Sequence, residues 1–180
     1  MDLVGQIEKL QGMALQHFSP LGQQQLNWKP AADRWSIAQC LHHLMVSNRY
    51  YFETFDKLLD GSYRIGFFQK LNPFKKMIGR YMVKALGPQP KKKYRAPAIF
   101  RPSSSALPAD IVARFSALQE ELKVYFTRLG ALDVESTYIA SPVTGSIVYS
   151  LGDAMRIITV HEERHLQQAV NVLQHPNFPR

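Results

Sequence analysis

Apolar residues recur at helical spacing along four stretches of the chain. Leu3, Ile7, Leu10, Ala14 and Phe18 form one stripe and predict a helix over about 2–18. Ser19-Pro20 and Leu21-Gly22 end it, and QLNWKPAADRW at 25–35 reads as a polar loop. The second helix starts at WSIAQC. Ser36 suits its N-cap, and Gln39, three residues later, completes a capping box, with Trp35 and Cys40 at the staple positions. Its stripe runs Leu41, Leu44, Met45, Asn48, Tyr51, Phe52, Phe55, Leu58, Leu59 and stops at Gly61, where a left-handed cap belongs.

The third long helix is expected over about 108–129, from Pro108 in its first turn to Gly130 past its end. The fourth is expected over about 151–174, with Ser150 and Asp153 repeating the capping logic and Pro176 stopping it. Residues 131–150, with SPVTGS, read as a loop. Four long amphipathic helices and few strand signals predict an all-α four-helix bundle, a single domain over 1–180.

The second-to-third connection, 61–107, is long and rich in Pro, Gly and Lys. Phe74, Met77, Ile78, Tyr81, Met82 and Leu86 predict a short amphipathic helix within it, with Lys75, Lys76, Arg80 and Lys84 on its other side. The net charge of +8 gathers here. Residues 61–101 hold eleven basic residues and no acid, while the rest of the chain holds 11 basic and 14 acidic residues. The basicity therefore belongs to one segment and not to the fold. Its lysines suit solvent contact, an anion-binding lid, or an anionic partner; nucleic acid is the less favoured partner.

No run of about 20 apolar residues indicates a transmembrane helix, and MDLVGQIEKLQGM lacks the layout of a secretory signal. Cys40 is the only cysteine. An internal disulfide is thereby excluded, and a cytoplasmic location is expected.

The candidate chemistry lies in the histidines: His17, His42, His43, His161, His165 and His175. His17 and His175 sit near helix ends, where the dipole favours them and no further role is needed. HEERH at 161–165 differs. Residues four apart on a helix share a face, so His161 and His165 can chelate one ion. Spacing alone leaves two exposed histidines as an equal reading. The helix phase decides for the interior: Ala154, Ile157, Ile158, His161, His165, Gln168 and Val172 follow the inward stripe, where two unpaired rings would be costly. His43 or His42 borders the facing stripe of the second helix. Three neutral imidazoles would leave an open position for water or substrate.

HEERH also matches the zinc-protease motif H-E-x-x-H. The extended form needs a glycine at 168 and a histidine at 171, and this chain has Gln168 and Asn171. No Asp or Glu follows Glu163, so a later carboxylate ligand is lacking as well. Glu162 lies about 100° round the helix from His161 and reads as a surface charge. A protease is not expected.

Two blocks carry a family resemblance. QLNWKPAADRWSIAQCLHHL at 25–44 resembles the W-S-x-x-E-x-L-x-H-L element of the DinB-like superfamily, the group that includes the YfiT-type and bacillithiol S-transferase proteins. SPVTG at 141–145 with LGDAMRIITVHEERHLQQ at 151–168 resembles that family's late helix, in which H-x-x-x-H is followed by a glutamine. The resemblance selects His43, leaving His42 as the extra histidine, and implies a site of His43, His161 and His165. It implies a divalent metal there, nickel or zinc foremost, with iron or manganese as alternatives. The implied activity is metal-dependent transfer of a low-molecular-weight thiol to a small molecule, or hydrolysis, with no catalytic base assignable. The rival is a non-enzymatic binding protein that uses 61–101 and keeps its metal for structure. One departure is Gln39, where the family often has an acid. A homodimer is compatible with the bundle.

Overall fold

The computed structural model describes residues 2–89, 98–102 and 106–180. Its four long helices are α1 (Leu3–Phe18), α3 (Ile37–Leu59), α6 (Ile111–Leu129) and α7 (Leu151–Leu173). Between them stand the short helices α2 (Gln23–Asn27), α4 (Phe67–Lys70) and α5 (Lys75–Leu86), and a 3-10 turn at Ala98–Phe100. The protein is mostly helical, as the periodicity predicts.

The starts follow the expected caps. Gln39 N–H donates to Ser36 Oγ at 3.1 Å and Ser36 N–H to Gln39 Oε1 at 3.2 Å, which closes the capping box of α3. Asp153 N–H donates to Ser150 Oγ at 3.0 Å at the head of α7. Gly61 has φ 74°, the left-handed conformation that ends α3 without a Cβ penalty.

α1 and α3 each pack against both α6 and α7, so α1 lies diagonally opposite α3 and α6 diagonally opposite α7. Four phenylalanines (Phe18, Phe55, Phe115 and Phe126) are buried between them. Each such burial stabilises by about 1.5–3 kcal/mol. α5 lies outside this square, against α7. Its Gly79 is buried, and a Cβ there would overlap the Asp153 carboxylate.

Three expectations change. α6 starts at Ile111 and not at Pro108, because Ile111 N–H donates to the Pro108 carbonyl (3.2 Å) in a turn that precedes the helix. Residues 131–150 are not all loop: β1 (Tyr138–Ala140) pairs antiparallel with β2 (Val148–Ser150), with Ile139 opposite Tyr149. SPVTGS is the hairpin's turn, and Gly145 takes φ 64° within it. The loop after α1 also contains α2, where Gly22 N–H donates to Gln25 Oε1. Three-residue strands and a five-residue helix are too short to leave a period in the sequence. Among the described residues, no helix is long and apolar enough to cross a membrane.

Candidate metal centre

Ser36 fixes the start of α3, and His43 projects from the helix's second turn onto its buried face. His161 and His165 project from successive turns of α7. One ring nitrogen from each of the three histidines lies within 4.8 Å of the others. His43 Nε2 stands 3.2 Å from His161 Nε2. His43 and His165 are buried, and His161 is partly buried. Ring centroids are 5.0 Å apart for His43 and His161, 4.5 Å for His43 and His165, and 4.7 Å for His161 and His165.

Two of the three outer nitrogens are anchored. His43 Nδ1 is 2.8 Å from the Phe100 carbonyl oxygen. A carbonyl only accepts, so Nδ1 carries the proton and Nε2 keeps its lone pair. His165 Nδ1 is 3.0 Å from Gln168 Oε1, which assigns its tautomer in the same way. Such outer partners orient metal-ligating imidazoles and raise their basicity.

Electrostatics favour neutral rings. Burial lowers the His43 pKa, against the pull of the Phe100 carbonyl. It holds His161 well below the usual imidazole range, helped by the other two rings and by Arg164. Burial, then His43 and Arg164, push His165 down to about 3. Neutral imidazole is the form that ligates a metal. Trp35 covers the cluster: its ring stacks on His165 (centroids 5.5 Å, 27°) and lies 4.8 Å from His43.

The donor set fits a divalent ion. Two nitrogens about 2.0–2.1 Å from a tetrahedral centre stand about 3.3 Å apart, close to the His43–His161 separation. An all-imidazole set suits nickel or zinc better than magnesium or calcium, which prefer oxygen. Three imidazoles, with no carboxylate grouped with them among the described residues, leave coordination positions for another ligand.

Other residues fall elsewhere. His42 faces away, lining a cleft with Val46, Arg49, Leu107 and Arg114. His17 lies in the last turn of α1, and His175 packs on Trp28 (5.3 Å) beyond α7. Cys40 is buried among apolar groups, and its thiol pKa is raised far above the ordinary value by burial. A thiol in that state is a poor nucleophile or ligand.

Glu162 is not a surface charge. It is fully buried, and its Oε1 accepts from Asn48 Nδ2 (2.6 Å) on α3 and Gln119 Nε2 (2.7 Å) on α6. Burial raises its pKa to about 7, against these two hydrogen bonds. Through Oε1 the carboxyl ties three helices together in the core, Oε2 is buried without a hydrogen-bond partner among the described residues, and the group is not clustered with the three histidines.

Three supporting residues were not foreseen in these roles. Gln168, at i+3 from His165, was open to inference from helical spacing. Trp35 reads equally as a hydrophobic staple. The Phe100 carbonyl leaves no trace in the side-chain pattern.

A helical bundle that brings three neutral imidazoles together from two facing helices is a scaffold able to hold a metal ion. The chain belongs to the DinB superfamily, which it matches over residues 6–169. No curated protein and no solved structure matches it.

Proposed function

We propose that His43, His161 and His165 bind a divalent metal, nickel or zinc foremost, and that the protein is a metal-dependent enzyme acting on a small molecule. The reaction we favour is transfer of a low-molecular-weight thiol, as the resemblance to the bacillithiol S-transferase group implies; hydrolysis is the alternative. A cytoplasmic location accords with this. The observation that carries the reading is the convergence of three imidazole nitrogens within 4.8 Å of one another, two of them on rings whose outer nitrogen is anchored.

When bound, such an ion supplies a Lewis acid that makes a thiol or a water nucleophilic at neutral pH. The chain's own residues do the rest. The Phe100 carbonyl and Gln168 hold the rings of His43 and His165 in one tautomer. Trp35 shields the cluster from water on one side. Arg164 places positive charge beside all three rings, which suits an anionic substrate group.

Thiol consumption with a haloaromatic or an epoxide tests the reading. Turnover by the parent is expected to fall at least about a hundredfold in His161→Ala and on chelation. Equal turnover in parent, variant and chelated protein would contradict it.

A second reading has one observation in its favour. In the acid-free segment, Leu71, Phe74 and Met77 are 64%, 59% and 63% exposed. Large apolar groups beside lysines suit a partner surface, with the metal then structural. Substitution of Leu71, Phe74 and Met77 together by serine would leave metal content unchanged under this reading and abolish the interaction.

A further inference from the structure

α5 and the head of α7 enclose a cleft of about 530 Å³ that is separate from the histidines. Lys76, Arg80 and Lys84 line one wall, Arg156 and Asp153 the other, with Glu135, Ser136, Ser150 and Val83 completing it. A volume of this size holds a small molecule. Asp153 and Arg156 precede His161 by eight and five residues, roughly 12 and 7 Å along the helix axis.

The charges do not cancel. Arg156 engages both acids of the cleft, Glu135 and Asp153. Lys76, Arg80 and Lys84 are in no ion pair among the described residues, and no acid lies near them in sequence. They stand at i, i+4 and i+8, which stacks three like charges on one helix face at roughly 6 Å intervals. Such a row disfavours the helix that carries it. Lys75 and Lys76 in the first turn of α5 also oppose its dipole, and that turn has no acid to balance them.

α5 is nevertheless held firmly. Gly79 lets its backbone approach Asp153, and a Cβ on Gly87 would meet Val160 at 3.8 Å. α5 therefore runs alongside α7 in the same direction. Packing of Met82, Val83 and Leu86 on the core completes the attachment. A fixed row of cations, unfavourable for its own helix and facing a cleft, gains its balance from an anion.

We propose that this cleft binds a small polyanion carrying adjacent phosphate groups. Lys76, Arg80 and Lys84 contact the phosphate oxygens, and the hydroxyl of the exposed Ser136 is the neutral donor within the cleft. The site is independent of the metal-dependent reaction proposed above.

Isothermal titration of the full chain with inorganic pyrophosphate at moderate salt tests it. Three variants accompany the parent: Arg80→Gln/Lys84→Gln, the charge-matched Lys9→Gln/Arg128→Gln remote from the cleft, and His161→Ala. The cleft variant is expected to bind at least about tenfold more weakly, and the other two as the parent does. Circular dichroism checks that all are folded. No binding by the parent, or equal weakening in both double variants, would overturn the proposal, the latter because net charge alone would then account for it. Loss in His161→Ala would overturn it too, by placing the anion at the histidines.

Discussion

His165 owes its position to two neighbours, Gln168 one turn along α7 and Trp35 from the turn before α3. Gln168→Ala removes the acceptor for Nδ1–H and frees the ring to rotate. Metal affinity should fall roughly 10–100-fold, the usual cost of losing an outer partner, as measured by competition with a chromogenic chelator. Glu162 makes a different demand. Asn48→Ala leaves its buried carboxyl with one donor in place of two. The expected loss is about 1–3 kcal/mol in denaturant unfolding, with metal content unchanged because Glu162 is not grouped with the three histidines. His161 and His165 were legible because their phase on α7 coincides with the apolar stripe. His43 was separable from its neighbour His42 only through the family resemblance. Glu162 was misread for a physical reason. α7 touches α1, α3, α5 and β2, so far more of its circumference is buried than one stripe.

Elements were legible in proportion to their length. The long helices carry several turns of pattern and a cap at their start, and α1, α3 and α7 end within about a residue of expectation. The hairpin and α2 depend on contacts remote in sequence, such as Ala140 N–H donating to Tyr63 Oη at 2.9 Å. The connection between α3 and α6 is the element with most bearing on the site, since it supplies the Phe100 carbonyl and carries α5. Gly79→Ala tests how α5 is held. Helix propensity alone would favour alanine by about 1 kcal/mol. The new methyl would displace the Asp153 carboxylate from Arg156, and overpacking of that kind costs about 1–3 kcal/mol. A net loss of stability in thermal denaturation is therefore expected; a gain would show that α5 is loosely docked.

At the scale of the whole molecule, the diagonal arrangement of α1 with α3 explains the site. It sets α3 directly against α7, so that a histidine early in the chain meets two near its end. The uneven charge follows the same division. The rest of the chain outside 61–101 is slightly acidic, and the described part of the basic segment includes α4 and α5, while Lys91, Lys92, Lys93 and Arg95 lie outside the described residues. The histidine cluster and the cationic face of α5 thus occupy different layers of one fold. The most direct test of the central claim is elemental analysis of the full chain purified without a histidine tag, beside folded His43→Ala and His161→Ala. The expected result is close to one nickel or zinc ion per parent chain and little in either variant. Equal metal in all three proteins, or no uptake by a folded parent offered nickel and zinc, would contradict it.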